Sequence, residues 1–178
     1  MTTTLSIEDV KAKIRSIPDF PKPGIIFRDI TTGIKDAQTM KFMVEYLCEQ
    51  YKDTKIDYVA GIESRGFIFG MPMAYRLGCG FIPIRKPNKL PAKTISESYG
   101  LEYGHDTIEI HEDAIEKGAN VLIVDDLLAT GGTAEAACKL VKRAGGNLVG
   151  IAFLIELQAL NGRKKLNDCG KVVSMLQY

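Results

Sequence analysis

Residues 121–133 read VLIVDDLLATGGT, and a helical pattern follows at once. Four apolar residues ending in adjacent acids, Asp125 and Asp126, describe a buried strand that arrives somewhere polar. The turn Thr130-Gly131-Gly132-Thr133 then opens a helix. A helix start leaves backbone N–H groups unpaired and carries the positive end of the dipole, so it favours a phosphate. Gly131 and Gly132 let the backbone curl, and Thr130 and Thr133 add hydroxyl donors. No lysine follows the glycines, which excludes the Walker loop GxxxxGK[ST], and GxGxxG is absent as well. The acids share the phosphate's sign and cannot hold it. They can accept hydrogen bonds from sugar hydroxyls, or approach a bound cation. Acids for the 2- and 3-hydroxyls and a loop for the 5-phosphate together describe a ribose 5-phosphate. The plainer alternative is that the acids only favour the helix N-terminus, at about 0.3–1 kcal/mol each. It accounts for one acid more easily than for two acids and the glycines.

Outward from this stretch, strand and helix patterns alternate. An apolar run at 56–62 precedes a helix marked by Phe67, Gly70, Met71, Ala74 and Leu77, which Gly78 stops. A strand at 80–85 is followed by polar residues from Pro87 to Gly100, interrupted by Pro91, which read as a mobile loop. Residues 107–111 alternate as an edge strand does. Beyond them come a strand over 119–125, a helix over 134–144, a strand over 148–155, a short basic helix near 162–166 and a strand over 172–176. At the other end, Ser6 to Asp9 opens a helix in the manner of a capping box, with Ile7, Val10, Ile14 and Ile17 on one face. Pro18, Pro21 and Pro23 end that helix. Asp36 caps another, carrying Met40, Met43, Val44, Leu47 and Tyr51. The alternation predicts an α/β fold built on an open, mostly parallel twisted sheet flanked by helices. Ligands bind such sheets beyond the carboxyl ends of the strands, which points to Glu63-Ser64-Arg65, to Arg85-Lys86 and to 125–133.

Composition narrows the function. The 178 residues suit one domain, and 23 Lys and Arg against 22 Asp and Glu give no case for a nucleic-acid surface. Cys48, Cys79, Cys138 and Cys169 form no CxxC and read as buried free thiols. His105 and His111 are too isolated for a metal site. Neither a leader nor a membrane span is evident, so a reduced, cytoplasmic protein is expected.

The 121–133 motif resembles the phosphoribosyl-pyrophosphate motif of the type I phosphoribosyltransferases, and DDLLATGGT most resembles the adenine-specific members. PDFPKPGIIFRDI at 18–30, GIESRGFIFG at 61–70, IRKPNKLP at 84–91 and SYGLEYG at 98–104 agree, in the family's order. The resemblance implies transfer of a phosphoribosyl group to adenine, giving AMP and pyrophosphate. Magnesium would be held mainly by the substrate's pyrophosphate, with no protein-built metal site. It implies an N-terminal hood over about 1–34, a core over about 35–178 with a mobile loop near 87–104, and a homodimer. By the same resemblance Asp125, Asp126, Ala129, Thr130, Gly131, Gly132 and Thr133 hold the ribose 5-phosphate. Arg65 follows an unusual, often cis, peptide at Glu63-Ser64 and, with Lys89 and Arg85, meets the pyrophosphate; Arg85 in this family can reach a neighbouring subunit's site. Backbone groups of Ile26 and Arg28 read the purine, and Phe27 and Leu127 enclose its ring. Hypoxanthine–guanine enzymes carry a second acid where Ala129 stands, so acid–base work falls to Glu102, with Tyr103 sealing the lid. Pro87-Asn88 and Ala92 depart from the family's usual glycines, which weakens the assignment of Lys89. Two rivals remain: an enzyme for another purine, and a sensor of the sugar pyrophosphate without catalysis.

Overall fold

The computed structural model describes residues 5–100 and 104–178. They divide into two compact units, Met1–Tyr46 and Leu47–Tyr178.

In the N-terminal unit, helix α1 (Ile7–Lys13) starts on a capping box: Ser6 Oγ accepts from Asp9 N, and the Asp9 carboxylate accepts from Ser6 N. The helix is shorter than its apolar spacing suggests. Ile14 is already extended, and Arg15–Pro18 (β1) pairs antiparallel with Ile26–Asp29 (β2), so Ile17 belongs to a strand. Proline at 18 disfavours helix at Ile17, and strand pairing prevails over the i, i+3 pattern. Pro21 and Pro23 therefore lie in the turn of this hairpin rather than at a helix end. A one-turn helix α2 (Thr31–Ile34) follows, unforeseen, with the Asp29 carboxylate accepting from Thr31 N and Oγ1. Those bonds, and then Arg15, hold the Asp29 carboxyl down at about 2. Helix α3 (Ala37–Glu49) starts where Asp36 accepts from Thr39 N at 2.9 Å.

In the larger unit, Tyr51 lies just past the end of α3 but is buried, donating to the carbonyls of Ile151 and Lys171. The strands are β3 (Tyr58–Ile62), β4 (Gly80–Ile84), β5 (Thr94–Gly100), β6 (His105–His111), β7 (Asn120–Leu128), β8 (Asn147–Glu156) and β9 (Lys171–Gln177). A five-stranded sheet runs β4-β3-β7-β8-β9, every neighbouring pair parallel. Helices α4 (Gly66–Leu77) and α5 (Gly132–Arg143) pack on it, and Gly78 ends α4 in the left-handed conformation, as expected of a C-cap. The core joins Ile82, Ile84, Ile123 and Ile151 from the sheet to Ala137 and Leu140 of α5. Each buried isoleucine there contributes about 1.5–3 kcal/mol. The basic stretch Gly162–Leu166 is a 3₁₀ helix.

Two expectations need correction. The segment read as loop to Gly100 becomes strand at Thr94, pairing antiparallel with β6 in a separate ribbon. Its Ser- and Glu-rich composition hides an alternation in which Ile95 and Tyr99 pack on the core. The 107–111 strand begins earlier and joins this ribbon; its link to β4 is a bridge between Arg85 and Glu109. The four cysteines are free, but Cys79 is only half-buried, and Met71 lies exposed on α4. Among the described residues, no helix is long and apolar enough to cross a membrane.

Candidate functional site

Pairing between β3 and β7 ends at Gly61–Val124, whereas β7 stays paired with β8 through Leu128. Asp125 and Asp126 therefore lie inside a strand, not beyond it, at the point where the neighbour on one side has turned away. The chain leaves β3 through α4 toward β4, on one side, and leaves β7 through α5 toward β8, on the other. Diverging connections of this kind open a crevice. A cavity of about 380 Å³ lies there, lined by Ile62, Glu63, Ser64, Arg65, Lys86, Tyr99, Ile108, Asp125, Asp126, Leu127 and Thr133. Beside it a hollow of about 70 Å³ is bounded by Asp125 and by residues 127–134.

Two helices begin at this crevice, and neither has a side-chain cap. Helix α5 starts from Gly131 in the left-handed conformation, φ 81°. Its first-turn N–H groups and positive dipole end form one edge of the small hollow. A side chain at Gly131 would sit 2.4 Å from the Gly162 carbonyl, and one at Gly162 would sit 2.2 Å from the Ala129 carbonyl. Loop and 3₁₀ segment thus meet backbone to backbone. Helix α4 starts directly after Arg65, and Glu63-Ser64 is a cis peptide, as the resemblance implies.

The acids share one environment. Asp126 is 4% exposed, and Arg65 Nε reaches its Oδ2 at 2.7 Å. Asp125 Oδ1 accepts from the Asp126 amide at 2.8 Å. Burial and then the neighbouring Asp126 charge push the Asp125 carboxyl well above the usual carboxylate range. Burial raises Asp126 too, against the pull of Arg65. One buried and one half-buried carboxylate against one guanidinium leave the cavity short of positive charge, and polar hydroxyls or a cation would relieve the acids.

The other cations fall differently. Arg85 forms a fork on Glu63, with Nε to Oε2 at 3.0 Å and Nη2 to Oε1 at 3.2 Å, and its Nη1 donates to the Lys89 carbonyl. These bonds hold the Glu63 carboxyl below its usual value. The Lys89 side chain is exposed, and neither Arg85 nor Lys89 lines the cavity. Lys86 does, in an ion pair with Asp106 and 3.3 Å from the Tyr99 hydroxyl. Glu102 and Tyr103 lie outside the described residues. Ile26, Phe27 and Arg28 form β2 in the N-terminal unit, where Phe27 meets Phe20 edge to face at 5.2 Å and Arg28 donates to Ser16 Oγ.

Tyr99 and Gly162 are site residues that sequence reasoning passed over, and Lys86 entered it only as a strand end. The strand-end rule pointed to Lys86 as much as to Arg85. Tyr99 was hidden in the segment read as loop, and nothing in the sequence ties Gly162 to the glycines of the 121–133 motif. A larger groove of about 720 Å³ lies elsewhere, lined among others by Glu156, Asn161, Arg163 and Lys164. Size does not make it the reactive site: Glu156 and Arg163 neutralise each other there, while the 380 Å³ cavity holds the strained pair of acids and both uncapped helix starts.

Residues 31–177 match the model of the phosphoribosyl transferase domain. A protein of Acidobacterium capsulatum named adenine phosphoribosyltransferase is 54% identical over 177 residues, covering 99% of this chain and 97% of its own. The crystal structure of adenine phosphoribosyltransferase from Thermoanaerobacter pseudethanolicus superposes with a TM-score of 0.94 at 52% identity, covering 97% of this chain and 100% of that one. The Saccharomyces cerevisiae enzyme, complexed with an imino-altritol bisphosphate and adenine, gives 0.90 at 41% identity, covering 96% and 98%.

Proposed function

The chain belongs to the phosphoribosyltransferase family, and from that premise we propose that it transfers the phosphoribosyl group of phosphoribosyl pyrophosphate to adenine, releasing AMP and pyrophosphate. The observation that carries the reading is the meeting, in one cavity, of an uncapped glycine-rich helix start, two adjacent acids and Arg65. The choice of adenine draws on the relatives' names and on the adenine in the yeast complex.

In this reading residues 129–133 hold the 5-phosphate through backbone N–H groups and the Thr130 and Thr133 hydroxyls. Asp125 and Asp126 accept from the ribose hydroxyls. As the bond to the anomeric carbon breaks, the sugar becomes cationic and the pyrophosphate gathers charge. Arg65 and Lys86 face that leaving group, with Lys89 and Arg85 as further cations, Arg85 from its own or a neighbouring subunit. The carboxylates of Asp125 and Asp126 are hard oxygen donors in the same cavity, and they fit magnesium's habit of taking one or two carboxylates beside substrate phosphates. When bound, magnesium supplies part of the charge that stabilises the departing pyrophosphate.

Ile26 and Arg28, two residues apart on a two-stranded ribbon, turn their backbone groups to one edge, which suits an adenine edge that both donates and accepts. A base with the wrong polar edge leaves such groups unpaired, the strongest form of discrimination. Phe27 and Leu127 supply apolar faces for the ring. Glu102 handles the purine proton, with Tyr103 beside it on the lid. Glu102→Gln is expected to lower kcat by about 10²–10⁴, and near-normal turnover would remove Glu102 from the mechanism. Met71 and Tyr75, exposed at i and i+4 on α4, support a homodimer, and the free cysteines support a cytoplasmic setting.

The test is a product assay with purified protein, magnesium and phosphoribosyl pyrophosphate, offering adenine, hypoxanthine, guanine, xanthine and orotate separately. AMP from adenine alone is the expected result. Product only from another base would overturn the reading of Ile26 to Arg28. Binding of the sugar pyrophosphate without product would mark a sensor.

A further inference from the structure

We propose that Tyr99 and Asp106 are positioning residues that hold the Lys86 ammonium in the cavity, where it meets the pyrophosphate end of the sugar substrate. The proposal rests on the transfer reading above and adds two residues to it. Tyr99 and Asp106 stand directly opposite each other in the β5–β6 ribbon. One carboxylate oxygen of Asp106 accepts from the Thr107 amide at 2.8 Å. The other takes the Tyr99 hydroxyl at 3.1 Å and the Lys86 ammonium. With both oxygens engaged, the carboxylate cannot rotate, and its second oxygen gives Lys86 a fixed anchor. Tyr99 and Lys86 line the cavity; Asp106 stands behind them.

Tyr99 also touches the other side of the site. A side chain at Gly132, the first residue of α5, would meet the Tyr99 ring at 3.4 Å. The same tyrosine therefore borders the phosphate loop with its ring and the lysine with its hydroxyl. Arg143, at the far end of α5, donates to Ser96 O and to the Glu97 carboxylate, both at 2.8 Å, and binds the ribbon to that helix a second time. The ribbon is thus tied at both ends to the helix that carries the phosphate loop.

A lysine has a long flexible stem, and ordering it costs up to about 2 kcal/mol of side-chain entropy. A clasp that orders it before the substrate arrives removes that cost from binding. The partners are about a third exposed, so the pair adds little to fold stability. A purely structural pair would show itself in the melting temperature, and a positioning pair in the affinity for one substrate and not the other.

The experiment uses the full-length protein and its Asp106→Asn, Asp106→Glu and Tyr99→Phe variants. KM for phosphoribosyl pyrophosphate and for adenine are measured, and binding of magnesium pyrophosphate is titrated calorimetrically without turnover. Asp106→Asn is expected to weaken both phosphoribosyl pyrophosphate and pyrophosphate about tenfold while KM for adenine stays within about twofold. Asp106→Glu should recover part of the loss, and Tyr99→Phe should show a smaller one with the same selectivity. Equal changes for both substrates, a fall in melting temperature alone, or unchanged pyrophosphate binding would overturn the proposal. The calorimetry separates it from the transfer reading. A wild-type protein that makes no AMP but binds pyrophosphate in an Asp106-dependent way would sink the transfer and keep the clasp. An active one indifferent to Asp106→Asn would do the reverse.

Discussion

The two walls of the cavity are made of different materials. The wall at the end of β7 is backbone: Gly131 and Gly162 touch through their main chains, and the first turn of α5 presents its amides. The wall at the end of β4 is side chain: Glu63, with Arg85 behind it, and Lys86 with Tyr99, with Asp106 behind them. A backbone wall suits a group that must sit in one place, such as a phosphate that anchors the substrate. A wall of charged side chains meets charge with charge, which suits a pyrophosphate that gathers charge as it leaves. Arg65 and the acids lie between the two.

Among the residues of the two walls and between them, the largest effect should come from Arg65. Arg65→Met removes the cation at Asp126 and leaves two adjacent carboxylates to repel each other, so the pair will take up a proton more readily. We expect kcat to fall by about 10²–10³, read by steady-state kinetics; a loss below tenfold would detach Arg65 from the leaving group. Next comes the backbone wall. Gly131→Ala and Gly162→Ala each force a Cβ within 2.4 Å of a carbonyl oxygen, displacing the loop. A loss of about 10² in kcat/KM is expected from each, with circular dichroism showing the fold retained. Normal kinetics in Gly162→Ala would mean that the loop does not depend on its neighbour.

The smallest effect belongs to the side-chain wall. Glu63→Gln breaks the fork on Arg85, and thermal unfolding should move by about 1 kcal/mol for a half-buried pair. Acid separates the side-chain wall from the acids between the walls. The Glu63 and Asp106 carboxyls are held below their ordinary values by Arg85 and Lys86, so their stabilisation is complete above that range and lost as pH falls through the lowered values. Asp125 has the opposite sign: its raised value means that falling pH relieves the strain of its charge, and it protonates first. Carboxyl-carbon NMR should show Asp125 titrating at a higher pH than Glu63 and Asp106; the reverse order would contradict the described environments.

The same contrast accounts for what the sequence disclosed. Backbone walls leave composition signals: VLIVDDLLATGGT announces a buried strand, acids and an open helix start, and the parallel sheet follows from the alternation around it. Side-chain walls do not. Tyr99 and Asp106 meet only because β5 and β6 pair, and the Ser- and Glu-rich β5 carries too little apolar periodicity to look like a strand. Gly162 is far from the glycines of the loop, and no local rule links their backbones. Helix α1 shows the opposite failure, an apolar spacing that continues through Ile14 to Ile17 after the helix has ended.

The most direct test of the account is a crystal structure with ribose 5-phosphate and magnesium pyrophosphate bound. It predicts the 5-phosphate within about 3 Å of the backbone amides of residues 131–133, the ribose hydroxyls on Asp125 and Asp126, and the pyrophosphate against Arg65 and Lys86. A phosphate found instead in the groove beside Arg163 and Lys164, with the cavity at the end of β7 occupied only by solvent, would contradict it.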